Sequence, residues 1–280
     1  MMRCLLVFGL GYSGLAIARA AAAQGWRVIG TSRDPGRSRQ APGIEIVPFA
    51  AADLTGVTHL VATAAPDDGD PVLAAHAAMI AGAPTLRWAG YLSTTGVYGD
   101  RGGGWVDEAS VPAPSSARGQ RRLAAETAWA RLGDRIAVDL FRLAGIYGPG
   151  RSVFDDIRAC RARRIDKPGH AFGRIHRDDI AGAVLAAMQQ SLPPGRRVLH
   201  LNDDAPAENA AVVAEAARLL GVAAPPLIPF AQAELSPMAR SFWAENRKVA
   251  SARTQTLLGR RWIYPSFREG LAAILAAERD

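Results

Sequence analysis

At 280 residues, with 49% hydrophobic and 21% charged side chains, the chain has the composition of a packed globular protein and not of a disordered or fibrous one. Its formal charge of +7 comes from 33 basic against 26 acidic residues, and only Lys167 and Lys248 among the basic ones are lysines. Arginine favours planar contacts to phosphate and carboxylate, so acidic ligands such as nucleotides fit, although an Ala- and Arg-rich composition would give the same balance without a ligand.

Cys4 and Cys160 are isolated, without metal-type spacing, and a reduced, cytoplasmic setting is expected. The run CLLVFGLGYSG is short and broken by glycines, so it reads poorly as a signal peptide. No stretch approaches the ~20 apolar residues of a membrane span. No metal site, nucleic-acid partner or membrane partner is expected.

In chain order, RCLLVF at residues 3–8 reads as a strand, GLGYSG as a turn, and LAIARAAAAQG as a helix stopped by Gly25. Strands follow in WRVIGTS, IEIVPF, THLVAT, WAGYLST and IAVDLFRL, with helices over 71–83 and 115–132 between the later ones. This alternation predicts an α/β fold, a Rossmann-type doubly wound parallel sheet. We place a dinucleotide-binding domain at 1–145 and a smaller substrate-binding lobe, partly interleaved with it, at 146–280. In that lobe RDDIAGAVLAAMQQ carries Ile180, Val184, Ala187 and Met188 on one helical face behind an acidic cap at Asp178 or Asp179. RRVLHLN reads as a strand and PAENAAVVAEAARLLG as a helix ended by Gly221. PSFREGLAAILAA opens with Ser266 and Glu269 at capping-box spacing and repeats Phe267, Leu271, Ile274 and Leu275.

Gly9, Gly11 and Gly14 have the G-x-G-x-x-G spacing between an apolar strand and a helix. There the first glycine permits a tight turn, the second lets backbone approach a pyrophosphate, and the third lets the helix sit close to the strand. Dinucleotide binding is the expectation, with Tyr12 and Ser13 inside the turn and Thr63 at the end of the fourth strand as further contacts. Where an NAD site would present a carboxylate to the ribose, the second strand ends in Thr31 and Ser32. Arg33, backed by Arg37 and Arg39, could meet a 2′-phosphate and favours NADP, whereas Asp34 would restore a preference for NAD. Asp53 could accept from an adenine amino group or serve as a turn residue.

VFGLGYSG, YLSTTGVYGD, FRLAGIYGPGR, RIHRDDIAGAV and the terminal NRKVASARTQTLLGRRWIYPSFREGL together resemble the extended short-chain dehydrogenase/reductases, the superfamily of NAD-dependent epimerases and dehydratases. The resemblance spans nearly the whole chain and is strongest to an atypical bacterial subgroup that keeps the fold and cofactor site but not the usual active-site set. It implies that Thr94, with Ser93 beside it, holds the substrate oxygen, and that a Tyr-x-x-x-Lys pair follows. RGQRRLAAE instead places Arg118 at the tyrosine and Arg122 at the lysine. Arginine stays protonated and cannot shuttle a proton as a stabilised phenolate does.

Residues 118, 122, 125, 129 and 132 fall on one helical stripe, so Arg118 and Arg122 are expected to point inward, either to bind an anionic substrate or to pair with Asp107, Glu108 or Glu126. Leu123 does not fit that stripe. Tyr98 and His176 are the candidate replacements for the proton carrier, each with a structural role as the alternative. His176 lies on the substrate side in the resembled family, and Arg142 and Arg151, flanking LAGIYGPG, could bind an acidic substrate. The expectation is an NAD(P)-dependent oxidoreductase or epimerase on an anionic or sugar-nucleotide-like substrate; the alternative is a non-catalytic NAD(P)-binding sensor. In the superfamily the helices over 71–83 and 115–132 commonly form a homodimer bundle.

Overall fold

The computed structural model describes residues 3–32 and 41–279. The first half runs β1 (Cys4–Phe8), α1 (Tyr12–Ala23), β2 (Arg27–Ser32), β3 (Ile44–Pro48), β4 (His59–Ala62), α2 (Pro71–Gly82), β5 (Trp88–Thr94), the two-residue β6 (Trp105–Val106), α3 (Ala117–Ala130) and β7 (Ala137–Leu143). The second half has shorter strands: β8 (Gly145–Tyr147), α4 (Val153–Arg158), β9 (Arg164–Asp166), β10 (Arg174–His176), α5 (Arg177–Met188), β11 (Gly195–Leu201) and α6 (Asn209–Leu220). It closes with β12 (Leu227–Pro229), α7 (Pro237–Phe242), β13 (Lys248–Val249), α8 (Ala252–Leu258) and α9 (Phe267–Ala277).

Seven parallel strands form the central sheet in the order β11-β7-β5-β4-β1-β2-β3. The chain's direction across the sheet reverses between β1 and β4, which opens a crevice beyond their carboxyl ends. β1 and β7 are buried along their whole length, as a sheet covered on both faces requires. On one face Ile17, Ala21, Ile180, Val184 and Met188 from α1 and α5 pack on the strands; on the other Val72, Ile80, Ala125 and Trp129 from α2 and α3 do so.

Within residues 146–280 part of the chain returns to the sheet. α5 lies on the sheet beside α1, and β11 extends the sheet past β7. α4, α6 and α9 build a further hydrophobic core from Tyr147, Phe154, Val212, Ala216, Phe267, Leu271 and Ile274, and an aromatic cluster gathers around Trp243.

The cap of α5 is His176, whose Nδ1 accepts from the Asp178 amide at 3.2 Å, and not Asp178 or Asp179. Asp179 is instead fully buried and accepts the amides of Ile263 (2.7 Å) and Tyr264 (3.0 Å), which pins the segment before α9 to α5. No helix among the described residues is long and apolar enough to cross a membrane.

Candidate functional site

The glycine turn sits at the reversal point of the sheet. Gly9 has φ +95°, a conformation L side chains rarely adopt, and its amide donates to Thr31 Oγ1 at 3.0 Å. Thr63, just past β4, donates its hydroxyl to the Gly9 carbonyl at 2.7 Å. A Cβ on Gly14 would stand 2.1 Å from the same carbonyl oxygen, so only glycine lets α1 come this close to β1. Gly11 differs: a Cβ there would meet nothing within 4 Å. It is the N-cap of α1, has no side chain to satisfy the first helical amides, and faces open space.

That space is a cleft of about 1480 Å³. Gly9, Gly11, Tyr12, Ser32 and Thr63 line it, with Phe49, Asp67 and Arg177. Ser13 is buried behind the turn. A backbone cradle that an added side chain would fill, with free helix amides aimed into it, fits a diphosphate-linked nucleotide. Asp53 does not contribute: it is exposed outside the cleft, where Oδ1 accepts from the Thr55 amide (3.1 Å) and hydroxyl (3.0 Å), and these bonds hold its carboxyl below the usual range. Arg33, with Asp34, Arg37 and Arg39, lies outside the described residues. Among the described residues no cluster of three or more His, Cys, Asp or Glu side chains could hold a metal ion.

At the end of β5 neighbouring hydroxyls diverge, because successive strand residues point to opposite faces. Ser93 is buried and donates to Glu126 Oε1 at 2.5 Å, so it is part of the α3 interface and not a second substrate hydroxyl. Thr94 is half-buried, with Oγ1 accepting the Gly96 amide at 3.1 Å.

The two arginines at the tyrosine and lysine positions do not point inward as a pair. At the start of α3 the residue facing the protein is Gly119, packed against the Gly96 carbonyl. Arg118, one step and about 100° around the helix, is turned outward. It is exposed, and its guanidinium stacks 4.3 Å from the Phe242 ring centre. Arg122 reaches the sheet but is engaged there, donating through Nη1 to Tyr91 Oη and to the Leu92 carbonyl, both at 3.0 Å. Neither pairs with Glu126, whose carboxylate takes three hydrogen bonds from Arg142. The Gly119-centred face also explains Leu123, four residues on, which packs with Val97, Tyr98, Val106 and Val249.

Tyr98 is no proton carrier for the cleft. It is fully buried, accepts from Arg142 Nη1 at 2.7 Å and contacts His200 Nε2 at 2.6 Å and the Asp107 carbonyl at 2.9 Å; burial pushes its hydroxyl up to about 12. Arg142 is likewise buried in this network and closed to a substrate. His176 is 1% exposed and depressed to about 4 by burial, so it is a neutral capping residue and not an acid facing substrate. Arg151 is exposed, with its guanidinium 5.6 Å from the Tyr12 ring centre.

Arg247, inside the terminal segment of the resemblance but given no role there, stands beside Thr94. Its Nη2 and Thr94 Oγ1 lie 3.8 and 3.4 Å from the same point above Gly96. Nη1 is held by the Gly99 carbonyl (2.9 Å) and Glu245 (2.6 Å). NRK carries no spacing signal; only the tertiary fold brings it to β5.

No family model matches the chain. Over its whole length it is 46% identical to a functionally unknown conserved protein of Silicibacter pomeroyi, whose solved structure is covered 100% with a TM-score of 0.91. A structure from Methylobacillus flagellatus, described provisionally as an NAD-dependent epimerase/dehydratase, is 28% identical with a TM-score of 0.74, covering 100% of this chain and 99% of that one. Protein YeeZ of Escherichia coli K12 is 27% identical over 247 residues, 80% of this chain and 86% of YeeZ. Two more distant structures share the fold: human epimerase family protein SDR39U1 with NADPH (22% identity, TM-score 0.79, 98% and 99% covered) and MoeE5 in complex with UDP-glucuronic acid and NAD (19%, 0.78, 98% of each). Sheet order, the glycine turn at its reversal point and these likenesses agree: the chain has the fold of the NAD-dependent epimerase/dehydratase structures, consistent with an atypical extended short-chain dehydrogenase/reductase.

Proposed function

We propose that the protein is an NAD(P)-dependent oxidoreductase or epimerase acting on an anionic, sugar-nucleotide-like substrate. The observation that carries this reading is Gly11, open to the cleft at the cap of α1 whereas Gly9 and Gly14 of the same turn are packed. Structures alike in fold bind NADPH in one case and NAD with UDP-glucuronic acid in another. The absence of an acid at the end of β2, where Ser32 lines the cleft, favours NADP. A cytoplasmic homodimer, joined through α2 and α3, belongs to the same reading and is tested by light scattering.

A nicotinamide nucleotide, when bound, would supply the hydride chemistry. Thr94 then holds the reacting substrate oxygen, its hydroxyl proton having no acceptor among the described residues. Arg247 places a positive charge beside it for a substrate carboxylate or phosphate. Arg118 stacks on Phe242, Arg122 is held by Tyr91 and Leu92 and His176 caps α5, so this reading gives the substrate contact to Arg247 instead.

The second reading, a non-catalytic NAD(P)-binding protein, is favoured by a specific observation: the groups at the tyrosine and lysine positions are arginines occupied by Phe242 and by Tyr91 and Leu92. Calorimetry with NADPH and NADH, followed by NADPH consumption across carbonyl compounds and sugar nucleotides, separates the two. Turnover lost in Thr94→Val and Arg247→Ala, with NADPH affinity retained, supports the enzyme. Binding without turnover on the whole panel supports the second reading, and no binding of either nucleotide overturns both.

A further inference from the structure

Beyond the glycine turn, the mouth of the cleft collects positive charge around one aromatic ring. Tyr12, the first residue of α1, is half-buried and donates its hydroxyl to the Pro149 carbonyl at 3.1 Å. The guanidinium of Arg177, at the start of α5, lies 5.1 Å from the ring centre, and that of Arg151, from the turn after β8, lies 5.6 Å away. Arg177 lines the cleft together with Gly9, Gly11 and Tyr12.

Of the two guanidinium groups only that of Arg177 has an ion-pair partner among the described residues. Asp178 is 3.3 Å from Arg177 Nε but about half exposed, and Asp155 is occupied in the capping box of Ser152. Arg151 has no ion pair among the described residues. A second, independent sign of a missing acceptor lies beneath. The Asp178 amide donates to His176 Nδ1, which puts the ring proton on Nε2, and that buried N–H has no acceptor. Nε2 and Tyr12 Oη lie 3.4 and 2.6 Å from the point where a Cβ on Gly148 would stand. Two guanidinium groups thus stand on one ring beside the open cap of α1, with a buried ring N–H near Tyr12 that lacks an acceptor, while the carboxylates that line the cleft, Asp67, Asp68 and Asp178, are exposed or half-exposed.

A ligand that accepts at several oxygens and carries more than one negative charge satisfies such a place, and arginine pairs with phosphate through two parallel N–H bonds. We propose that Arg151 and Arg177, braced on Tyr12, form a cationic clamp for a diphosphate lying against the start of α1. The clamp rests on the proposed nucleotide reading of the cleft, and it adds a specific consequence: the ligand ties α1 to α5 and the β8 turn, and its affinity depends on salt.

The test is calorimetric titration of the full chain with NADPH and, separately, with inorganic pyrophosphate, at low and high salt. The variants are Arg177→Gln, Arg151→Gln and the double substitution, with melting temperature as the check on folding; both side chains reach solvent, so little change is expected. The double variant should bind NADPH on the order of tenfold more weakly at low salt, about one decade in Kd, and lose most of the wild type's salt dependence. NADPH affinity within about twofold of wild type at low salt, in a folded double variant, overturns the clamp. If the wild type binds neither nicotinamide nucleotide, the functional reading fails separately. Pyrophosphate bound by the wild type and not by the double variant then keeps the clamp as a site for free phosphates, and pyrophosphate binding equal in both overturns it.

Discussion

Gly11 and Gly14 belong to one motif but meet opposite demands. Adding a Cβ at Gly14 drives it into the Gly9 carbonyl, a backbone atom that cannot swing aside, so Gly14→Ala should cost about 1–3 kcal/mol as overpacking does and lower the melting temperature. Gly11→Val should melt as the wild type does and lose nucleotide affinity, because its side chain enters only the space a diphosphate would take. Equal melting temperatures for the two variants would contradict this division. The spacing made the motif legible in sequence, since its strand-turn-helix context is local. Arg118 and Arg122 were legible as replacements but not in their direction. The helical stripe through Ala125 and Trp129 is real, yet the first turn of α3 runs over the Gly96 turn instead of the sheet, and Gly119 takes the inward place. Arg122→Ala should therefore destabilise by about 1–3 kcal/mol, by leaving the buried Tyr91 hydroxyl without its donor, whereas Arg118→Ala removes an exposed cation–π contact worth about 0.5–1 kcal/mol. Urea denaturation of the two variants reads this difference directly.

At the scale of elements, α3 is fastened to the sheet by charge as well as by its apolar stripe. Glu126, 2% exposed, accepts from Ser93 on β5 and takes three hydrogen bonds from Arg142 on β7, whose Nη1 continues to Tyr98. Removing one partner strands the other charge in a buried position, so Glu126→Leu should cost about 3–5 kcal/mol. The double variant Glu126→Leu with Arg142→Met should recover a large part of that loss, because no charge is then left alone. A double variant as unstable as the sum of the single ones would show that the network, and not the uncompensated arginine, sets the cost. None of this was readable beforehand. Helical spacing offers Glu126 as a partner for arginines on its own helix, but its partner comes from a parallel strand, and bringing Ser93 and Arg142 together requires the register of β5 and β7. Local periodicity predicts elements; long-range register decides which polar groups meet.

For the whole molecule the doubly wound order was legible because strands and helices alternate at local spacing, whereas the return of α5 and β11 to the sheet depends on packing that no spacing encodes. The same packing gives the fold an uneven response to pH. Burial holds His59, His170 and His176 each at about 4, against an ordinary 6.5, so the folded chain carries these rings neutral where the unfolded chain protonates them. Folded-state values below unfolded ones mean that the unfolded state binds more protons, and stability falls as pH drops from about 6.5 toward 4. Asp203 acts in the opposite sense: burial raises its carboxyl from 3.8 to about 8, so the folded state keeps a proton that the unfolded state releases, and stability is lost as pH rises toward 8. Of these four groups only the carboxyl titrates between about 6.5 and 8, and below 6.5 three rings, joined by the buried His200 that is also held down, outweigh the carboxyls of Asp203 and Asp179 that burial raises. The melting temperature should therefore pass through a maximum near pH 6.5 and decline on both sides. In Asp203→Asn the alkaline decline between about 6.5 and 8 should vanish while the acid limb keeps its slope, because the amide holds its charge constant and leaves the histidines untouched. An alkaline limb unchanged in that variant would place the responsible proton elsewhere, and a melting temperature that climbs steadily from pH 6.5 to 4 would mean that the three rings are protonated in the folded protein.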